Sequence, residues 1–227
     1  MRPLGAAVAI ATAVLAMPAA ASAATLAVEP ASPCYREQQT VFLMAQGYTP
    51  NGFVDFTRDG RLVERLQADA SGAISGNLTL PGLLTGQRML TYVGTDSSDS
   101  SRTAQVSLLA SATDVGVKPV RGLPNRRLTI RGRGFFGGET VWAHVTRMGR
   151  RAGASARART VRIGPVEGAC RRVRATRRLF RRSPAPGRYR VQFDTFRRYR
   201  PHRAVEYDDL IVTILSARAA LSPASER

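Results

Sequence analysis

The sequence predicts an all-β protein made of two tandem antiparallel β-sandwiches, and three observations carry that reading. Short runs rich in β-branched and aromatic residues alternate in character and are closed by turn residues. No long segment shows the 3.6-residue apolar period of an amphipathic helix. The order of the runs in the first half of the chain recurs in the second. A chain of 227 residues, 44% of them hydrophobic, is long enough to fill two cores of ordinary size.

The chain opens with Arg2, an uncharged apolar run from Leu4 to Met17, Pro18, and the small residues Ala21-Ser22-Ala23. This is the layout of a secretory signal peptide, residues 1–23, with cleavage expected after Ala23. The apolar run is shorter than the roughly 20 residues that span a bilayer, so a membrane anchor is disfavoured. No later stretch is apolar enough to cross a membrane, and the expected location is secreted, extracellular or associated with the cell envelope.

Residues 24–112 form the first expected sandwich. Seven strands are predicted: Thr25 to Glu29, Thr40 to Tyr48, Phe53 to Arg58, Arg61 to Ala68, Ala73 to Leu80, Gln87 to Val93 and Arg102 to Leu109. Thr49-Pro50-Asn51-Gly52 and Asp59-Gly60 supply the fixed or positive φ of tight turns, and Pro81 cannot donate to a central ladder. Seven short strands in this length are the arithmetic of a sandwich.

Residues 113–215 repeat the order, and 216–227 read as a flexible tail. Val28-Glu29-Pro30 matches Val117-Lys118-Pro119, and Gly47-Tyr48 through Val54 matches Gly134-Phe135 through Val141 at an offset of 87. Gly86, Leu90 and Tyr92 match Gly187, Val191 and Phe193 at an offset of 101. The difference, 101 − 87 = 14, places an insertion in the second copy, most simply between Met148 and Ala158. A repeat near 90 residues is a duplicated domain rather than a solenoid unit.

These motifs resemble the bacterial Ig-like modules of secreted and cell-surface proteins from GC-rich Gram-positive bacteria. The pattern there is a V-x-P opening strand, a G-x-G-F-x-P-G turn before a V-x-V strand, an A-D-x-x-G hairpin and a P-G-x-Y-x-V strand. The first copy carries Val28-Glu29-Pro30, Gly47-Tyr48-Thr49-Pro50-Asn51-Gly52 and Ala68-Asp69-Ala70-Ser71-Gly72. The second carries Gly132-Arg133-Gly134-Phe135 and Pro186-Gly187-Arg188-Tyr189-Arg190-Val191. The resemblance implies two Ig-like sandwiches and no catalytic residues, and it leaves the ligand open. Two departures stand out: an Arg-rich stretch replaces the A-D-x-x-G hairpin in the second copy, and each copy has a single cysteine.

Those cysteines, Cys34 and Cys170, form an even pair that favours one disulfide in an exported chain, here a clamp between the two copies. Two free thiols or an intermolecular bridge are the alternatives. Metal binding is not supported, because zinc needs about four clustered ligands and the chain adds only His144 and His202. No cofactor motif is present either.

The charge sits in the second copy. Residues 24–112 have six Arg against eight acids, 6 − 8 = −2, whereas residues 113–227 have 27 basic and eight acidic residues, 27 − 8 = +19. Lys118 is the lone lysine, so the surface is an arginine surface, suited to bidentate contact with phosphate or carboxylate. A GC-rich genome would also favour arginine, which makes a merely solvated surface the competing reading. Alternation puts Tyr189, Val191 and Phe193 inward, as it does Val173, Ala175 and Leu179, and Leu210, Val212 and Ile214. The outward arginines Arg172, Arg174, Arg178, Arg188 and Arg190 are the candidate polyanion contacts.

Aligning Val54 with Val141 turns Val141, Ala143 and Val145 inward, and Trp142 and His144 to the other face. In an Ig sandwich this strand pairs with the sixth, so Trp142, His144, Arg190 and Gln192 are expected to share one exposed sheet face. A register one residue different would instead make Trp142 the buried tryptophan of Ig strand C. No G-x-S-x-G elbow, H-E-x-x-H or phosphate-cradling glycine loop is present, which argues against an enzyme. The functional expectation is a non-enzymatic binding or scaffolding protein of the cell envelope whose second module contacts an anionic polymer. An acidic protein partner or extracellular nucleic acid is the alternative.

Overall fold

The computed structural model describes residues 23–83, 85–123, 126–149, 158–180, 184–200 and 207–215. The predicted leader, most of the predicted insertion, His202, Glu206 and the predicted tail lie outside the described residues.

The first module contains β1 (Thr25–Glu29), β2 (Tyr35–Arg36), β3 (Thr40–Gln46), β4 (Phe53–Arg58), β5 (Arg61–Gln67), β6 (Ile74–Thr79), β7 (Gln87–Asp96) and β8 (Thr103–Ser111). All seven predicted strands are present. The eighth, β2, has two residues and is too short to show a period. Two sheets face each other, with strand orders β1-β3-β6 and β2-β8-β7-β4-β5. Pro30 ends the opening strand because it has no N–H for the ladder, and the chain then crosses to the other sheet as β2. Asp59 and Gly60 both have positive φ, 50° and 80°, the signature of the two-residue hairpin that joins β4 to β5.

The second module repeats this plan with β9 (Asp114–Lys118), β10 (Arg121–Gly122), β11 (Leu128–Arg133), β12 (Thr140–Arg147), β13 (Arg159–Pro165), β14 (Val173–Arg177), β15 (Gly187–Asp194) and β16 (Asp208–Ile214). Its sheets are β14-β11-β9 and β10-β16-β15-β12-β13, the same three-plus-five arrangement. Every pairing is antiparallel except the two-residue contacts β2 to β8 and β10 to β16, which are parallel. The protein is thus all-β with two tandem Ig-like sandwiches. Among the described residues no helix is long and apolar enough to cross a membrane.

Each module has its own core. Val28, Leu43, Val54, Phe56, Leu90 and Tyr92 are among the buried residues of the first. Val117, Ile130, Val141, Ala143, Tyr189, Val191 and Phe193 are among those of the second. The predicted inward sets of the second copy are all found there, with Ala175 and Leu210 partly buried at its edge.

Pairing places the insertion and corrects one offset. Val54 lies opposite Leu66 and Val141 opposite Gly164, so the offset rises from 141 − 54 = 87 to 164 − 66 = 98 within the β12 to β13 hairpin. Beyond it, Arg58 faces Tyr92 and Val145 faces Val191, an offset of 191 − 92 = 99 rather than 101. The sequence match had slipped by two residues. A two-residue slip keeps every side chain on its proper face, which is why apolar alternation alone could not detect it.

The predicted loss of the A-D-x-x-G hairpin in the second copy is also corrected. In the first module Tyr48 N donates to Gly72 O and Ala68 N to Gly52 O; in the second Phe135 N donates to Arg171 O and Val166 N to Glu139 O. The turn persists as residues 166–171, with Arg171 at φ 51° where the first module has Gly72 at 78°. A non-glycine residue in that region hid the motif.

Asp96, only 2% exposed, ties the end of β7 to the turn before β4. Its carboxylate accepts from Thr49 N at 2.7 Å, Ser98 N at 2.9 Å and Ser98 Oγ at 2.7 Å. Burial by itself would raise its pKa, but the hydrogen bonds from Ser98 and Thr49 outweigh burial and hold it well below the usual carboxylate range. A depressed folded-state pKa contributes stability above the unfolded value, about 3.9, and loses it as pH falls further. Asp96→Asn is therefore expected to cost roughly 2–4 kcal/mol at neutral pH. It should also flatten the fall in stability below about pH 4. Urea unfolding at pH 3 to 7 measures both.

Candidate functional site

On β11, Leu128 and Ile130 point into the core, so Arg131 and Arg133 point out. On β14, Val173 and Ala175 point in and Arg174 points out, with Arg172 just ahead of the strand. The β11 to β14 register sets Arg131 directly opposite Arg174 and ends at Gly132 opposite Val173; Arg133 and Arg172, just beyond that last pair, line the same cleft. Four arginines consequently crowd the outer face of the three-stranded sheet. Like charges directly opposite one another destabilise a sheet by roughly 0.2–1 kcal/mol per pair, so the fold carries a cost here.

Little offsets that cost. Asp114 Oδ2 lies 3.6 Å from Arg133 Nε. Arg131 faces Gly116 on β9, which has no side chain to answer it. Among the described residues Arg131 and Arg174 make no ion pair. The four arginines, Glu167 and Gln87 line an open cleft of about 630 Å³ at the junction of the modules. Gln87 belongs to β7 of the first module, and its Oε1 accepts a hydrogen bond from Arg172 Nη2 at 2.9 Å.

The junction is tied by a covalent bridge. Cys34 and Cys170 form the predicted disulfide, with Cα atoms 5.2 Å apart. Cys34 lies in the crossover before β2 and Cys170 in the turn that replaces the hairpin motif, so the bridge spans the modules. Within the second module Cys170 O accepts from Gly134 N at 2.9 Å, and Thr113 Oγ1 donates to Gly134 O at 2.8 Å, which fixes the turn that carries the bridge. Gly134 has φ 76°, and a Cβ there would collide with the Ala112 carbonyl, so only glycine lets the end of β11 pass this close to the chain entering β9.

The five predicted polyanion contacts divide between two faces. Arg172 and Arg174 line the junction cleft, and Arg178 is exposed just past β14. Arg188 and Arg190 lie on β15, in the five-stranded sheet on the opposite side of the sandwich. Arg190 there pairs with Asp209 at 3.2 Å. Arg131 and Arg133 were missed because the G-R-G-F motif reads as a turn. Their alternation with Leu128 and Ile130 was the available signal.

The exposed-face set is corrected by what covers it. Val141, Ala143 and Val145 do point into the core, and β12 does pair with β15, so the register prediction holds. Trp142 is half-buried on the outer face, opposite Arg162 on one side and Asp194 on the other. His144 and Gln192, however, are buried, at 0% and 2% exposure. Residues 195–200 fold back over the outer face and supply their partners. His144 Nε2 faces Asp194 Oδ1 at 3.2 Å and Phe196 O at 3.0 Å, and its Nδ1 lies 2.9 Å from Thr160 Oγ1. Two acceptors at Nε2 put the proton there. Gln192 Nε2 donates to Asp194 Oδ2 at 2.7 Å and to Arg200 O at 3.1 Å. This cluster is a satisfied polar seam that pins residues 195–200, not a ligand-facing platform.

The acidic residues at the start of β16 are structural as well. Asp208 Oδ2 accepts from Val115 N at 2.7 Å, linking β16 to β9, and Asp209 holds Arg190. Burial raises the Asp208 pKa despite that hydrogen bond. Among the described residues no group of three or more His, Cys, Asp or Glu is placed to hold a metal ion.

No family profile matches the chain, and no curated protein matches it. Among solved structures, the human OSCAR ligand-binding domain aligns over 86% of this chain and 100% of its own, at 16% identity and a TM-score of 0.32. The Ig-like assignment rests on the strand order and pairing of each module.

Proposed function

We propose that this chain is an exported, non-enzymatic two-module binding protein of the cell envelope whose second module adheres to an anionic polymer, such as a teichoic or uronic polymer or a phosphorylated glycan. The observation that carries the reading is the square of arginines on β11 and β14, which gathers positive charge where the sheet alone would avoid it. The difference between the modules, −2 against +19, points to the same module. The leader pattern and a disulfide across the modules support export.

Retention of the full chain on immobilised teichoic acid, polyuronate and DNA at several salt concentrations tests this. Neutralising four anionic groups gives a log–log salt slope near −3, so affinity should fall about 60-fold for a fourfold rise in salt. Negligible retention on every polymer at low salt would overturn the reading. Salt-insensitive capture by an acidic protein would replace it with a protein-interaction function.

A further inference from the structure

We infer that the junction cleft is a two-rung clamp for two phosphate groups borne on one flexible chain and separated by about 7 Å, the distance between residues i and i+2 of a strand. The inference rests on the proposed polyanion binding and specifies its ligand. One rung is Arg131 with Arg174, paired by the β11 to β14 register; the other is Arg133 with Arg172, which lie just beyond its last pair and line the same cleft. Each rung presents two guanidinium forks from opposite strands. Two forks converging from different directions suit a tetrahedral phosphate, whose oxygens do not share one plane, better than a planar carboxylate, whose two oxygens do.

Charge accounting agrees with this count. Four arginines against Asp114 and Glu167 leave 4 − 2 = +2, which two phosphate groups of at least one negative charge each neutralise. Gln87 gives an independent indication. A guanidinium can only donate, so the hydrogen bond from Arg172 fixes Gln87 Oε1 as the acceptor. Among the described residues the Nε2 of the same amide is buried without a hydrogen-bond partner. An unpaired donor beside an arginine cleft is a group that an anionic oxygen drawn into the cleft would satisfy. Gly116 beside Arg131 leaves that rung unobstructed from the β9 side.

Phosphates joined through a three-carbon unit can span the two rungs, and directly linked phosphates cannot. Isothermal titration of the full, disulfide-bonded chain with propane-1,3-diol bisphosphate, pyrophosphate and inorganic phosphate at matched ionic strength separates spacing from charge. The bisphosphate is expected to bind at least tenfold more tightly than either of the others. Arg131→Gln with Arg174→Gln should reduce it to the level of inorganic phosphate, as should Arg133→Gln with Arg172→Gln. Gln87→Glu should weaken it severalfold. Arg197→Gln with Arg198→Gln removes the same charge from residues covering the other sheet and should leave it unchanged. Equal or tighter binding of pyrophosphate, or unchanged binding in both rung variants, overturns the clamp. Polymer retention that persists in the rung variants leaves the broader polyanion reading standing while the clamp fails. Loss of retention on every polymer by the wild-type chain removes both. Far-ultraviolet circular dichroism of each variant verifies that the fold is kept.

Discussion

Replacing Cys34 and Cys170 together by serine is expected to lower the stability of the chain by up to about 5 kcal/mol, the chain-entropy value for cross-linking residues 136 apart. The bridge acts mainly on the unfolded chain, which without it gains the freedom of a very long loop. Its native-state role is local: it holds the crossover before β2 against the turn at residues 166–171, beside the contact between Arg172 and Gln87. Urea unfolding followed by the fluorescence of Trp142, the single tryptophan, reports the second module, and circular dichroism reports both. A loss below 1 kcal/mol would mean that the modules unfold without regard to the bridge. Two alkylatable thiols in the native protein, or a covalent dimer, would remove the clamp altogether.

Asp194→Ala is expected to cost about 3–5 kcal/mol, the penalty for removing one partner of a buried polar pair. Asp194 is fully buried and receives hydrogen bonds from His144 Nε2, Gln192 Nε2 and Phe196 N. Truncation leaves two of those donors, on His144 and Gln192, with one acceptor each, and the segment 195–200 loses its anchor. Asp194→Asn preserves the shape but opposes an amide N–H to the Gln192 donor, so a smaller loss of roughly 2 kcal/mol is expected. Thermal unfolding ranks the variants, and faster hydrogen exchange at the Phe196 amide locates the effect. A loss under 1 kcal/mol in Asp194→Ala would show that residues 195–200 are held by something other than this seam.

The two features differ in how visible they were beforehand. The cysteine pair was legible because two cysteines allow one intramolecular pairing. The polar seam was not, because His144 and Gln192 alternate like surface residues. Only the return of residues 195–200 over the sheet buries them. Alternation reports which face of a strand a residue occupies, and it is blind to whether something later covers that face.

By itself the sequence determined the architecture: two sandwiches, seven of the eight strands of the first module, the inward residues of the second core, and the site of the insertion. Those features are local, written in a two-residue period and in turn residues such as Asp59-Gly60 that few conformations satisfy. Only the tertiary structure decided which arginines act together. Arg131 and Arg174 are 43 positions apart, 174 − 131, and become neighbours solely through the β11 to β14 register. Arg174 and Arg188, closer in the chain, end on opposite sheets. Strand pairing sums many backbone and core contacts along both strands, so a charged surface cluster is a consequence of register and cannot be read from the spacing of its own residues.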